Sequence, residues 1–61
     1  PSQYLIDIRI KKAEELLLFS NYTSSQIAEF LGYYNYSYFS RLFKKRVGVS
    51  PNEYRTRMMR K

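Results

Sequence analysis

A chain of 61 residues has room for one small domain, and the absence of cysteine excludes stabilisation by disulfide bonds. Histidine is absent too, so a zinc site would have to be built from carboxylates alone, and we expect neither a metal nor a cofactor. Eleven Lys or Arg residues against five Asp or Glu residues give a net charge of +6, which favours nucleic acid or an anionic membrane as partner, although an ordinary basic domain has the same composition.

The first predicted helix covers residues 2–18 and carries two apolar stripes. At about 100° per residue, one stripe contains Ile6, Ile10, Ala13 and Leu17. The neighbouring stripe contains Leu5, Ile8, Leu16 and Phe19. A helix on the outside of a small domain needs only one such stripe, so we interpret the second as a contact surface for a partner absent from this chain. The alternative is a central helix enclosed by the rest of its own domain.

A second, short helix is predicted over residues 24–31, after a break at residues 20–22. Thr23 has the character of an N-cap, and Gln26, three residues later, completes the pattern of a capping box. Gly32 is expected to end this helix because glycine readily adopts a positive φ.

The third helix is predicted over residues 36–47, with Asn35 as its N-cap and Gly48 as its stop signal. The segment Ser-Pro-Asn-Glu at 50–53 then combines a capping residue, a proline suited to the first helical position and a glutamate able to close a capping box. A fourth helix therefore starts at Pro51, and we expect Tyr54 and Met58 to form its inner face. The chain is predicted to be all-α, a small bundle of about four helices.

The two faces of the third helix predict different roles. Phe39, Leu42 and Phe43 share one face, with Val47 at its edge, and are expected to lie in the core. The opposite face contains Ser37, Ser40, Arg41 and Lys44. Short serines let another surface approach the helix closely, the arginine fork fits guanine O6 and N7, and lysine supplies a flexible charge. A merely solvated basic face is the alternative.

The order of the second and third helices favours a DNA-contacting face over a merely solvated one. A short helix, a tight turn at Gly32 and an amphipathic helix make up a helix-turn-helix, as in homeodomain-like folds. In that arrangement the first helix braces the second, which enters the major groove of double-stranded DNA.

Residues 27–55, IAEFLGYYNYSYFSRLFKKRVGVSPNEYR, resemble the second helix-turn-helix of the AraC/XylS family of bacterial transcription regulators. The positions that carry the resemblance are Ile27, Ala28, Gly32, Tyr38, Phe39, Ser40, Arg41, Phe43, Lys44, Gly48, Ser50, Pro51, Tyr54 and Arg55. Tyr33 stands where the family has phenylalanine. Upstream, residues 1–17 resemble the long helix that links the family's two DNA-reading modules.

The resemblance implies a division of the chain and a set of partners. Residues 1–19 would be the linker helix, and residues 20–61 the second helix-turn-helix module with its C-terminal helix. The chain starts without Met, so we expect a piece of a longer protein that also carries the first module and, as in many members, a sensing or dimerisation domain.

The resemblance places base contacts at four positions of the third helix, namely Tyr36, Ser37, Ser40 and Arg41, with Arg41 as the main reader. The side chain of Tyr36 has three open roles: stacking, contact with a thymine methyl, or packing. Candidates for phosphate contacts are Thr23, Ser25, Lys44 and Lys45. Thr23 is alternatively only a cap, and Arg46 is expected to face solvent. The remaining C-terminal cations, Arg55, Arg57, Arg60 and Lys61, either contact phosphates or provide favourable charge at a helix end.

Other functions find less support in the sequence. Without histidine, cysteine or a glycine-rich phosphate loop, we do not expect an enzyme. No apolar run approaches the ~18 residues of a membrane span and no signal peptide is evident, so a cytoplasmic location is expected. The main alternative is a protein-interaction module that docks a partner through Leu5, Ile8 and Leu16. A membrane-surface role would need basic and apolar faces that meet along one exposed helix.

Overall fold

The computed structural model describes residues 3–59, which contain four helices and no strand. In chain order these are α1 (Gln3–Phe19), α2 (Ser24–Phe30), α3 (Tyr36–Val47) and α4 (Pro51–Met59). The all-α prediction is confirmed, and the observed bounds differ from the predicted ones by no more than one residue at the ends that were predicted. Some predictions concern residues that lie outside the described ones, namely Ser2, Arg60 and Lys61.

One apolar stripe of α1 forms one side of the core. Ile6, Ile10, Ala13 and Leu17 are all buried, as their spacing predicts. They pack with Ile27 and Ala28 of α2 and with the two phenylalanines of α3. The second stripe is largely open, because Leu5 and Ile8 are each 47% exposed and only Leu16 packs against the core.

Side-chain caps define the start of α2. The backbone N–H of Gln26 donates to Thr23 Oγ1 over 3.0 Å, and the backbone N–H of Thr23 donates to Gln26 Oε1 over 2.9 Å. This is the reciprocal capping box that the sequence predicts. Leu31 caps the C-terminus, and Gly32 follows with a φ of 95°, a left-handed conformation that side chains with a Cβ rarely adopt.

The ends of α3 are also set by the residues that flank it in the sequence. Asn35 Oδ1 accepts from the backbone N–H of Tyr38 over 3.1 Å, and Gly48 ends the helix with a φ of 105°. Ser50 Oγ accepts from the backbone N–H of Glu53 over 3.2 Å at the start of α4. The side chain of Glu53 does not complete a capping box and instead forms an ion pair with Arg57 at 3.3 Å.

An aromatic row joins α3 to α4 at the centre of the bundle. Phe39 and Phe43 are fully buried, with ring centroids 6.0 Å apart, and Tyr54 meets Phe43 edge-on at 5.7 Å. Burial, followed by repulsion from Glu14, raises the pKa of the Tyr54 hydroxyl above its ordinary value.

The prediction that Met58 also faces inward is wrong, because the side chain is 57% exposed. The core side of α4 is formed instead by Pro51, Tyr54 and Arg55.

None of the helices in residues 3–59 combines the length and the apolar character that a membrane span requires.

Candidate nucleic-acid interface

The outward face of α3 is free of intramolecular polar contacts. Ser37, Arg41, Lys44 and Lys45 are exposed, and Ser40 is partly exposed beside them. Within residues 3–59 none of these five side chains forms a hydrogen bond or an ion pair with another residue. Their hydroxyl and cationic groups are therefore available to an external ligand. Three cations without a carboxylate partner on this face make an anionic ligand the favoured one.

The opposite side of the same helix fixes this orientation. Phe39 and Phe43 are buried completely, and Leu42 and Val47 pack against the core at their edges. Since Phe39 and Phe43 cannot turn outward without opening the core, Arg41 and Lys44 must face solvent. The predicted division of α3 into an aromatic core face and a serine-and-cation face is confirmed.

A hydrogen-bond chain anchors the N-terminal end of α3. The Tyr36 hydroxyl donates to Ser24 Oγ over 3.2 Å, and the Ser24 hydroxyl donates to Asn52 Oδ1 over 2.7 Å. Tyr36 and Ser24 are the first residues of α3 and α2, and Asn52 is the second residue of α4, so the hydrogen bonds tie together the first turns of three helices. Sequence reasoning missed Ser24 and Asn52, since they are 28 positions apart and have no shared motif.

Three roles were left open for Tyr36, and in this structure its side chain packs against the core. Its ring is partly buried, 6.2 Å from that of Phe39, and its hydroxyl is engaged by Ser24. The base contact that the resemblance places at this position stays a prediction. In this conformation only the exposed part of the ring is available to meet a thymine methyl or a sugar.

The four candidates for phosphate contacts fall at two places. Thr23 and Ser25 lie exposed at the start of α2, and Ser25 shares a small cavity with Tyr34 and Tyr36. Lys44 and Lys45 lie exposed near the end of α3. Thr23 Oγ1 already accepts a hydrogen bond as the N-cap, which leaves its hydroxyl proton for a further acceptor.

Two arginines, Arg46 and Arg55, hold other helices to α1. The expectation that Arg46 faces solvent is wrong, because its guanidinium donates to Asp7 Oδ1 and Gln3 Oε1 of α1. Arg55 donates from Nε to the carbonyl of Leu17 over 2.9 Å and from Nη2 to the carbonyl of Ser20 over 3.1 Å. Arg55 thus places positive charge at the C-terminal end of α1, where free carbonyls favour it.

Comparison with known families gives a match over nearly the whole chain. Residues 1–57 match the family described as a helix-turn-helix domain. The chain is 43% identical over 61 residues to the HTH-type transcriptional regulator YisR of Bacillus subtilis, with all of this chain and 21% of that protein covered. It is 42% identical over 55 residues to the DNA-binding dual transcriptional regulator Rns of Escherichia coli, with 90% of this chain and 21% of that protein covered.

Solved structures agree with this assignment. The C-terminal domain of AraT, a response regulator from Geobacillus stearothermophilus, is similar with a TM-score of 0.85 and 48% identity. The similarity covers 92% of this chain and 46% of that one. This chain spans about a fifth of the length of the curated relatives named above, 21% in each case.

Proposed function

Because this chain belongs to the AraC/XylS-type helix-turn-helix family of bacterial transcription regulators, we propose that its helix α3 enters the major groove of double-stranded DNA and reads sequence there. The two relatives named above, Rns and YisR, are transcription regulators. We place the protein in the bacterial cytoplasm, where its proposed ligand lies.

One observation carries the proposal for α3: its outward face holds hydroxyls and cations that have no partner among the described residues. A stabilising basic face would instead be expected to pair with acidic side chains, as Lys12 does with Glu15 and Arg57 does with Glu53. Free cations beside short serines suit a surface of phosphates and base edges.

Each side chain of that face suits a particular contact. Arg41 is the main base reader, because its planar fork can donate two parallel hydrogen bonds to one guanine. Ser37 and Ser40 hydrogen-bond bases or phosphates at close approach, and Tyr36 contributes through the exposed part of its ring. Lys44 and Lys45 bind phosphates near the end of α3. Thr23 and Ser25 bind phosphates at the start of α2.

We further propose that α1 is the linker helix of a two-module DNA-binding domain. The half-exposed Leu5 and Ile8 side chains support this, since they leave an apolar stripe on α1 that the described residues do not cover. The preceding module would lie on that stripe. A sensing or dimerisation domain would complete the protein, because the curated relatives are about five times as long as this chain.

Replacing Arg41 with Ala tests the proposed reader directly. In the complete protein, the substitution should cost ~1–3 kcal/mol of binding free energy on cognate DNA and relax the preference at one base pair. Affinity for scrambled DNA should fall much less. Titration of cognate and scrambled duplexes measures both, and an equal loss on the two DNAs would refute base reading by Arg41.

A further inference from the structure

We infer that a polar clasp between α1 and α3 sets the position of the reading helix relative to α1, and that Arg46 and Asp7 are its positioning residues. The clasp consists of Gln3, Asp7 and Arg9 on α1, with Tyr33 and Arg46 on the helix-turn-helix side. None of the five is a proposed DNA contact. The inference rests on the proposed function, since it concerns how a linker helix is held against a reading helix.

The first half of the clasp lies at the C-terminal end of α3. Arg46 donates from Nη1 to Asp7 Oδ1 and from Nη2 to Gln3 Oε1. Asp7 and Gln3 are four residues apart, so they present neighbouring oxygens on one face of α1. The Arg46 side chain is 24% exposed, so it lies mainly between the two helices rather than in water.

The second half lies at the other end of α3. The Arg9 guanidinium carbon is 5.6 Å from the centroid of the Tyr33 ring, within the range of a cation–π interaction. Tyr33 belongs to the turn before α3, and its ring packs on that of Phe39 at 5.3 Å. A single stretch of α1, from Gln3 to Arg9, therefore holds both ends of the reading helix.

Two attachment points restrict the rotation of α3 relative to α1 more strongly than a single contact would. A single contact between crossing helices leaves rotation about that point free, whereas contacts at both ends of α3 restrict it. The apolar core alone fixes α1 from Ile6 to Leu17, and the clasp extends this constraint to the first turn of α1. That turn leads toward the proposed first module. The clasp would therefore govern the spacing at which two modules can read one DNA.

Spacing preference is the measurement that isolates this role. The complete protein would be titrated with its DNA site at the original spacing between the two half-sites, and with one base pair inserted between them. The variants are Asp7→Asn, Arg46→Gln, Arg9→Gln and the charge exchange Asp7→Arg with Arg46→Asp. Lys12→Gln is the matched control, since it removes a cation and breaks an ion pair on α1 outside the clasp. Melting curves would show whether each variant is folded.

We expect Asp7→Asn, Arg46→Gln and Arg9→Gln to reduce the affinity ratio between original and inserted sites by about two- to fivefold, the scale of an exposed charge contact. The charge exchange should restore the ratio toward that of the unchanged protein, while Lys12→Gln leaves it unaltered. Asp7→Asn raises the net charge by one and Arg46→Gln lowers it by one, so a loss of preference shared by both variants cannot come from net charge.

Three results would overturn the clasp. If the unchanged protein prefers the original spacing and the three clasp variants keep that preference, only the clasp is refuted. If Arg46→Gln instead lowers the salt dependence of binding by about one released ion, Arg46 is a phosphate contact and not a positioning residue. An unchanged protein that shows no preference for any two-part site would refute the proposed two-module function as well.

Discussion

Arg41 and Lys44 lie about one turn apart on the open face of α3, yet their side chains suit different targets on DNA. The arginine fork is planar and can match the two acceptors of one guanine, which gives information about sequence. The lysine ammonium is a flexible point charge that any phosphate can satisfy. Both are exposed and without partners among residues 3–59, so neither must give up a contact in order to bind.

Replacing Lys44 with Gln should therefore weaken binding to all DNA sequences by a similar factor. The slope of log K against log salt should become shallower by ~0.9, because one fewer counterion is released. Titrations between low and moderate salt on cognate and scrambled duplexes measure this. Lys12→Gln is the control, since Lys12 lies on α1 in an ion pair with Glu15. A slope that stays the same for Lys44→Gln would remove Lys44 from the phosphate contacts.

Tyr33 carries a hydroxyl that the fold does not use. The oxygen is buried and has no hydrogen-bond partner among the described residues, while the ring packs on Phe39 and Tyr38. The AraC/XylS family pattern has phenylalanine at this position. Tyr33→Phe should raise the free energy of unfolding by ~1 kcal/mol, because it removes an unsatisfied polar group and keeps the ring. Urea unfolding followed by circular dichroism measures this, and a loss of stability would show that the hydroxyl has a partner.

The start of α2 allows capping and DNA contact to be separated at one position. Thr23 caps the helix through Oγ1, and both Asn and Asp serve the same purpose at an N-cap. Thr23→Asp and Thr23→Asn should both keep the melting temperature near its original value. The Asp variant alone should bind DNA more weakly, by ~1 kcal/mol or more, because it sets a carboxylate against a phosphate. Equal DNA affinities of the two variants would restrict Thr23 to its capping role.

The inner face of α3 holds its outward face in place, and two phenylalanines provide a matched test. Phe39 is fully buried, whereas Phe30 on α2 is 71% exposed. Phe39→Ala should cost ~3–5 kcal/mol, roughly the whole stability expected of so small a domain, and leave the chain unfolded. Phe30→Ala should change stability by less than ~0.5 kcal/mol. Circular dichroism distinguishes the outcomes, and a folded Phe39→Ala variant would contradict the described core.

Elements whose signals lie within a few residues could be predicted from the sequence. The capping box at Thr23, the N-cap at Asn35 and the positive φ of Gly32 and Gly48 are all local in origin. The aromatic core face of α3 also follows from its period alone.

Features that join distant parts of the chain could not be predicted in this way. Arg46 reaches Asp7 across 39 positions, and Ser24 reaches Asn52 across 28. Helical spacing gives a residue's angle on its own helix but not the neighbour it will meet. The same reason explains Met58, whose spacing from Tyr54 fits an inner face although the core does not extend to it.

On the scale of the whole molecule, the open cations of α3 and the exposed apolar stripe of α1 lie on different helices. The net charge of +6 gives the chain an electrostatic attraction to DNA, and the open cations of α3 direct it. The exposed stripe of α1 lies on a different helix, which is where a linker would meet its preceding module. Docking of another protein through Leu5, Ile8 and Leu16 is the main alternative function, and the similarity to transcription regulators does not favour it.

Selection of binding sites from random DNA, performed on the complete protein and on its Arg41→Ala variant, tests the central claim most directly. With α3 in the major groove, the unchanged protein should select a defined motif. The variant should select the same motif with preference lost at one base pair. The claim would be contradicted if both proteins selected identical motifs, or if the unchanged protein selected none.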